Sequence, residues 1–297
     1  MTTVPRSTVV VGLDRSDPGR SAAEYAAKVA DRRNLPLRLV HAFEPSQYAV
    51  GPRAINWTAD VEGVMRDASQ RLLEETTEAL RVDYPDLEVS SRLQPGSAAE
   101  TLIEESERAE LLVLGSRGSG GFADLIIGST ALHVASHARC PVVVVPGALV
   151  DVTPRRGVVV GVDGSELSAA AIQFAFQFAS ETRERLTGLH AWYDPAPTGV
   201  GLMMPLVFDP AMVVKEEKLI LAESMAGWSE KYPDVEVVHE VVRNHPVHAL
   251  VTRAATAELL VVGSRGRGSV RSLLLGSVSH GVLHHASCPV AIVRGAS

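Results

Sequence analysis

The residues best suited to chemistry lie in two segments with one spacing, in which Gly-x-x-Gly is followed after nine intervening residues by Gly-Ser. The two copies consist of Gly115, Gly118, Gly128 and Ser129, and of Gly263, Gly266, Gly276 and Ser277. Glycines let successive backbone N–H groups turn toward one point, and such a group of amides binds anions. The Gly-Ser pair stands where the next helix should begin, so the free N–H groups and positive dipole end of that helix face the same point. The spacing therefore predicts a polyphosphate cradle built mostly of backbone.

Candidate binding residues surround this spacing in both copies. Ligands of open parallel sheets bind beyond the carboxyl ends of the strands, so the loops after the first and fourth strands of each copy are the expected sites. In the first copy the candidates are Gly12, Asp14, Gly115, Ser116, Arg117, Gly118, Ser119, Gly120, Gly121, Gly128, Ser129 and Thr130. In the second copy the candidates are Gly161, Asp163, Asp194, Gly263, Ser264, Arg265, Gly266, Arg267, Gly268, Ser269, Gly276, Ser277 and Val278.

The charged candidates each have two possible roles. Arg117 and Arg265 either reach the phosphates or point to solvent. Asp14 and Asp163 either contact the ribose, the base-edge amides or a bound magnesium ion, or they cap the following turn. Arg267 and Arg271 stand where the first copy has Ser119 and Ala123, so the second loop is more positive and is predicted to hold a triphosphate tail more tightly. The alternative is that both arginines face solvent or pair with carboxylates, which gives no preference.

Other phosphate-binding and catalytic motifs do not fit this chain. It has no Gly-Lys dipeptide and therefore no P-loop. Its first turn offers Gly12 and Asp14 in place of the three glycines of a dinucleotide site. A Gly-x-Ser-x-Gly elbow is missing from the sequence, which disfavours a hydrolase of that type.

The sequence contains an internal duplication. VVVGLDRS at 9–16 returns as VVVGVDGS at 158–165, and LLVLGSRGSG at 111–120 returns as LLVVGSRGRG at 259–268. The offset between the copies is 149 residues at the start and 148 residues from a shared Tyr-Pro-Asp triplet onward, which one small deletion explains. Such a long period indicates a duplicated domain rather than a solenoid. The two domains are predicted at 1–147 and 157–297, with a linker at 148–156.

Each copy alternates strands and helices. In the first copy, short apolar runs predict strands at 9–12, 37–43, 87–93, 110–115 and 141–145. Amphipathic and Ala-rich patterns predict helices at 17–33, 59–83, 98–108 and 128–137. Strands separated by helices form a parallel sheet through right-handed crossovers. The expected fold class is α/β, with two doubly wound domains, each a five-stranded parallel sheet with helices on both faces.

These motifs resemble those of the universal stress protein family in its tandem two-domain form, and the resemblance covers both halves nearly end to end. The family's ATP signature, Gly-x2-Gly-x9-Gly-(Ser/Thr), matches both copies, and its early aspartate matches Asp14 and Asp163. The resemblance implies an adenine nucleotide alpha hydrolase-like fold and ATP with magnesium at the carboxyl edge of each sheet. It also implies pairing of domains through the edge strand, as in a homodimer.

On this basis we expect an ATP-binding regulator of the stress response or of growth control, acting on an unidentified protein partner. No lysine, histidine–acid pair or evident water-activating base stands near the glycine loops in the sequence. Two other functions stay open. One is a slow ATPase or nucleotide-transfer enzyme of the same fold, and the other is a dimeric scaffold that the nucleotide stabilises. The native ligand stays open among ATP, ADP and AMP.

Charge and composition exclude further classes. The 297 residues carry 28 Lys and Arg against 35 Asp and Glu, a formal charge of −7, which argues against a broad nucleic-acid surface. No run reaches the roughly 18 apolar residues of a membrane helix, and the polar first residues lead us to expect no signal peptide. Two cysteines, Cys140 and Cys288, cannot by themselves form a disulfide framework or a zinc site. We expect a cytoplasmic protein whose cysteines pack as small apolar side chains.

The histidines have structural interpretations. His41 and His190 end equivalent strands, so a structural or pocket-lining role is expected for both. His284 and His285 have no acidic ligand near them in the sequence and do not predict a metal site.

Overall fold

The computed structural model describes residues 8–43, 59–118, 127–147, 155–193, 210–267 and 275–295. The chain forms two compact units, Met1–Val150 and Asp151–Ser297. Both units are α/β with a parallel sheet, which confirms the predicted fold class. The sequence candidates Ser119, Gly120, Gly121, Asp194, Gly268 and Ser269 lie outside the described residues.

In the described part of the first unit, five strands alternate with four helices. The elements are β1 (Thr8–Gly12), α1 (Asp17–Arg32), β2 (Leu37–Phe43), α2 (Ala59–Asp83), β3 (Val89–Pro95), α3 (Ala98–Glu105), β4 (Ala109–Gly115), α4 (Ser129–His137) and β5 (Val142–Val145). The strands are parallel in the order β3-β2-β1-β4-β5. The strand order therefore reverses between β1 and β4, where a ligand site of a doubly wound sheet is expected.

The direction of the crossovers places the helices. The chain moves the same way from β1 to β2 and from β2 to β3, so right-handed crossovers put α1 and α2 on one face of the sheet. It then crosses back to β4 and β5, which puts α3 and α4 on the other face. Helix α1 contacts α2, and α3 contacts α4, in agreement with these two layers.

The second unit repeats this plan with a divided second helix. Its elements are β6 (Val158–Gly161), a 3-10 turn (Glu166–Ser168), α5 (Ala169–Thr182), β7 (Leu186–Trp192), α6 (Pro210–Met225), α7 (Trp228–Lys231), β8 (Val237–Arg243), α8 (Pro246–Arg253), β9 (Leu259–Gly263), α9 (Ser277–His285) and β10 (Val290–Val293). The parallel strands follow the order β8-β7-β6-β9-β10. Gly227, with a φ of 77°, separates α6 from α7. This left-handed conformation favours glycine and interrupts the helix that stays continuous as α2.

The core follows from the apolar pattern. Most residues of β1, β4, β5 and β9 are buried, as expected where helices cover both faces of a sheet. Helix α1 lies close to its sheet because alanines line the buried face, and Ser16 caps it by accepting the Gly19 N–H at 3.0 Å. Cys140 and Cys288 are buried free thiols, and burial raises the pKa of each to about 12. Both therefore pack as small apolar groups.

Within the described ranges, no helix combines the length and the apolar character that crossing a membrane requires.

Candidate functional site

A cavity of about 570 Å³ opens at the carboxyl ends of β1 and β4 in the first unit. It brings together most of the described candidates, which are Gly12, Asp14, Gly115, Arg117, Gly118, Gly128, Ser129 and Thr130. Ser116 is not part of the lining; it is buried beneath the loop, where its carbonyl accepts the Gly128 N–H at 2.7 Å. The loop after β4 and the start of α4 are thus joined by one backbone hydrogen bond.

The second unit holds an equivalent cavity of about 330 Å³. Its lining contains the candidates Gly161, Asp163, Gly263, Arg265, Gly266, Arg267, Gly276, Ser277 and Val278. Ser264 is buried and accepts the Gly276 N–H at 2.7 Å, as Ser116 does for Gly128. The same backbone geometry therefore occurs twice.

Helix N-termini supply donors to both cavities. Gly128 is the N-cap of α4 and Gly276 is the N-cap of α9, and neither provides a side chain that would accept the first N–H groups. The first turns of α4 and α9, with Ser129 and Ser277, line the cavities. Uncapped N–H groups at a helix start, together with the helix dipole, form a site for an anion.

Asp14 and Asp163 organise their loops. Asp163 Oδ1 accepts the Ser165 N–H at 3.0 Å and its hydroxyl at 2.6 Å, and Oδ2 accepts the Arg267 N–H at 2.9 Å. Asp14 Oδ1 likewise accepts the Ser16 N–H and hydroxyl. Both aspartates thus cap the following turn, one of the two roles left open by the sequence, and Asp163 also ties the glycine loop to the first strand.

The electrostatics of Asp163 follow from these contacts. Burial raises its pKa, but the Ser165 hydroxyl, the Ser165 and Arg267 N–H groups and the Arg267 charge lower it. The balance leaves the pKa of Asp163 below its ordinary value. The carboxylate is therefore held in its ionised form by the loop around it.

The second glycine of each loop lies directly against one of these aspartates. A Cβ at Gly118 would lie 2.9 Å from Asp14 Oδ2, and a Cβ at Gly266 would overlap Asp163 Oδ2. A larger residue there would therefore displace the carboxylate as well as fill the cradle. At Gly128 the nearest atom would be the Arg117 Cα at 3.5 Å, an ordinary contact distance, so a side chain at this position fits the loop.

The three candidate arginines occupy different settings. Arg117 and Arg265 line their cavities at corresponding positions. Arg267 also lines its cavity, but a Cβ at Gly164 would overlap the Arg267 guanidinium. The Arg267 side chain therefore lies over the loop that follows β6, close to Asp163.

The sequence did not identify the apolar wall of each cavity. In the first unit this wall consists of Val40, Ala42, Leu102, Leu114 and Ala131, and in the second of Leu189, Ala191, Pro246, Leu250 and Val262. It is formed by the ends of the second and fourth strands and by α3 in the first unit and α8 in the second, with Ala131 of α4 added in the first unit. Its apolar character beside polar backbone donors suits the mixed surface of a nucleotide-sized ligand. Two signals in the sequence point to it, namely the equivalent apolar positions in the two copies and the switch point of the strand order.

The equivalent histidines are fixed behind these loops. His41 Nδ1 lies 2.7 Å from the Leu13 carbonyl oxygen, and His190 Nδ1 lies 2.7 Å from the Val162 carbonyl oxygen. His190 Nε2 also lies 2.6 Å from Glu217 Oε2. Both rings therefore support the residue that precedes the aspartate, which agrees with the structural role expected for them.

Metal ligation by side chains finds no support in the described parts of either unit, where no group of three or more His, Cys, Asp or Glu side chains is arranged around one point. The His284 ring lies 4.5 Å from the His280 ring and 6.5 Å from the His285 ring, both at a tilt, and burial together with these two neighbours lowers the pKa of His284.

Comparison with known proteins agrees with this architecture. The model of the universal stress protein family matches the chain twice, over residues 5–146 and 154–294. The chain is similar to universal stress protein Rv2005c of Mycobacterium tuberculosis, with 38% identity over 290 residues and 96% of each chain covered. It is also similar to universal stress protein Rv2623 of the same organism, with 36% identity over 293 residues and 96% of each chain covered. In fold it is similar to a crystal structure of a universal stress protein from Archaeoglobus fulgidus, with a TM-score of 0.67, 21% identity and coverage of 97% and 96% of the two chains.

Proposed function

Because this chain belongs to the universal stress protein family, we propose that it is a regulatory protein of the stress response or of growth control that binds one ATP in each repeat. The family resemblance also implies a homodimer, an unidentified protein partner and a cytoplasmic location, and we include these in the proposal.

One observation carries the proposal, namely that the anion cradle is built twice from backbone. In each unit the loop after the fourth strand is joined to the following helix by a 2.7 Å hydrogen bond, from Gly128 to Ser116 and from Gly276 to Ser264. The N-cap of that helix is a glycine, so the first N–H groups remain directed at the cavity. A site with donors and no acidic side chain at its helix end favours a phosphate chain.

The two halves of each cavity suit the two parts of the nucleotide. The phosphates would be held by the glycine loop and by the first turn of α4 or α9, with Ser129 or Ser277 adding a hydroxyl donor. The adenine would lie against the apolar wall that includes Leu102 in the first unit and Leu250 in the second. Magnesium would be held mainly by the phosphates, since it prefers phosphate oxygens and water to a cage of protein ligands.

A regulatory role follows from how such a site acts on the chain. ATP changes the protein only through a difference in affinity between two conformations. The cradle connects the end of β4 to α4, and in the second unit the Asp163–Arg267 hydrogen bond connects the cradle to the loop after β6. An occupied cradle would therefore order these loops relative to each other, and this ordering is the change that a partner would recognise.

The proposal is tested by filling one cradle at a time. Gly128 and Gly276 have φ and ψ near −78° and 152°, and −75° and 159°, which a branched side chain accepts. A Cβ at Gly128 would lie 3.5 Å from the Arg117 Cα, whereas a Cβ at Gly276 would lie 3.3 Å from the Arg265 Cα, so the second loop must shift by a few tenths of an ångström to accept valine. Gly128→Val and Gly276→Val therefore place bulk at the two cradles. Calorimetry with ATP should give two sites in the wild type and one site in each variant. Gly128→Ala and Gly276→Ala serve as size controls and should weaken binding less than valine does. Parallel measurement of phosphate release would detect hydrolysis and distinguish the slow ATPase. Two sites retained in both valine variants would contradict the proposal.

A further inference from the structure

The first unit has a second cavity, of about 340 Å³, outside the nucleotide cavity. It is lined by the loop after β1, the first turn of α1 and the middle of α2. Helices α1 and α2 cover the face opposite α3 and α4, whereas α3 and α4 line the nucleotide cavity. The two cavities share the loop residues Leu13 and Asp14, and α1 borders both, with Gly19 at the nucleotide cavity and Arg20 at the second one.

Three arginines from three separate elements line this second cavity, and we call them the arginine cluster: Arg15, Arg20 and Arg71. Arg15 is anchored, since its Nη2 donates to the Ala68 carbonyl oxygen at 2.9 Å. Arg20 and Arg71 make no ion pair with another residue in the described ranges. Guanidinium groups that converge on a concave surface bind phosphate in a bidentate manner.

Two carboxylates lie at the same cavity without cancelling this charge. Asp14 Oδ1 is turned to Ser16, whose N–H and hydroxyl it accepts. Glu75 lines the cavity from α2. Three of the lining side chains carry guanidinium groups and two carry carboxylates, so the lining of the cavity has a net positive charge. Glu75 additionally offers an acceptor to a hydroxyl or amino group on a bound anion.

The second unit does not repeat the arginine cluster. Gly164 and Ala169 stand at the positions of Arg15 and Arg20, and the position of Arg71 corresponds to Leu219 or Ile220 at offsets of 148 or 149 residues. A Cβ at Gly164 would overlap both the Arg267 guanidinium and the Ile220 side chain. These two side chains of the second unit therefore occupy the space beside Gly164. The open arginine cluster is thus a property of the first repeat.

We propose that the arginine cluster of the first repeat is a second anion site, which takes a phosphorylated small molecule. The concave shape between two helices and the volume of the cavity favour a free metabolite over a phosphorylated protein segment. Because Leu13 and Asp14 belong to both cavities, an occupant of this site acts on the loop that borders the first nucleotide cradle. The site goes beyond the proposed function, since it does not depend on the nucleotide cradles.

Pyrophosphate is the probe, titrated by calorimetry into the full chain at low ionic strength. To keep the backbone cradles out of the measurement, the titration is repeated in the Gly128→Val/Gly276→Val double variant. We expect one pyrophosphate per chain to remain in that variant. Arg71→Leu and Arg20→Leu should each weaken this binding about tenfold through the loss of a charge-assisted contact. Arg81→Leu, at another exposed position of α2, is the matched control and should leave the affinity unchanged. Glu75→Gln should tighten binding, because it removes a repelling charge.

Two results would overturn this site. The first is pyrophosphate binding that disappears in the glycine double variant, which would assign all anion binding to the nucleotide cradles. The second is binding that Arg71→Leu, Arg20→Leu and Arg81→Leu reduce equally, which would show general attraction to positive charge. Since Arg20, Arg71 and Arg81 are exposed, their leucine variants should fold as the wild type does, and equal melting temperatures verify this. An ATP titration of the same variants separates failure of this site from failure of the nucleotide proposal.

Discussion

The two repeats keep the backbone of the cradle and exchange the side chains that support it. In the first unit the buried Glu105 on α3 pairs with Arg92 on β3 and, at 3.3 Å, with Arg38 on β2. In the second unit the corresponding residue is Arg253, which pairs with Glu240 at 2.7 Å and bonds to the Thr187 hydroxyl at 3.2 Å. The same helix is thus fixed to the same strands with the charges reversed. The residue at this position of the helix therefore requires an oppositely charged partner on the neighbouring strand, and either order of the two charges is accepted.

The aromatic core differs in the same way. Phe176 is fully buried in α5 and stacks with Trp228 and Tyr232, at centroid distances of 6.0 and 5.9 Å. The corresponding residues of the first unit are Ala27, Leu80 and Tyr84. A phenylalanine in place of an alanine thus accompanies the divided helix α6–α7, where the first unit has the continuous α2. Side-chain packing therefore differs between the two units, whereas the backbone of the cradle is the same in both.

The largest effect expected from this comparison is the loss of Phe176. Phe176→Ala removes a fully buried ring and two aromatic contacts, and such changes cost about 4 kcal/mol of unfolding free energy. Chemical denaturation followed by tryptophan fluorescence and by circular dichroism measures it. Phe176→Leu, which retains most of the volume, is the control and should cost less. A loss below about 1 kcal/mol would mean that the second unit repacks as the alanine-based first unit does.

Reversing the charges of the Glu105 ion pair in the first unit tests whether this helix accepts either sign. Glu105→Ala should cost about 2 kcal/mol of unfolding free energy, because a buried, doubly paired carboxylate is lost. The triple variant Arg38→Thr/Arg92→Glu/Glu105→Arg copies the arrangement of the second unit and should recover most of this loss. If the triple variant is less stable than Glu105→Ala, the surroundings of α3 select one sign, and the account of interchangeable pairs is wrong.

The smallest effect concerns Asp163 and pH. Its pKa is lowered in the folded state, so its contribution is present above the unfolded value of about 3.9 and is lost as the pH falls through the folded value. Asp163→Asn should therefore cost about 1 kcal/mol of unfolding free energy at neutral pH and progressively less in acid. The unfolding free energies of the wild type and of Asp163→Asn, measured from pH 7 down to pH 3, should approach each other as the pH falls. A difference in unfolding free energy that grows toward low pH would contradict a lowered pKa of Asp163 in the folded state.

The parts of the molecule that depend on local backbone geometry could be predicted from the sequence. The helix predicted at 59–83 is α2, and the glycine positions border the two cavities, because glycine spacing and periodic apolar residues act locally. The break at Gly227 was missed, since an isolated glycine interrupts a helix only when packing favours the left-handed turn. The hydrogen bond from the Arg267 N–H to Asp163 joins residues 104 positions apart, and no local pattern reports it. The reversed ion pairs were missed for the same reason.

The central claim is that each repeat holds its own adenine nucleotide, and the most direct test is to count nucleotides on the intact chain. Native mass spectrometry of the full-length protein with ATP and magnesium resolves the mass added per chain. The account predicts two nucleotides per wild-type chain at saturation and one in either Gly128→Val or Gly276→Val. A wild-type chain that saturates with a single nucleotide, or with none, would contradict it.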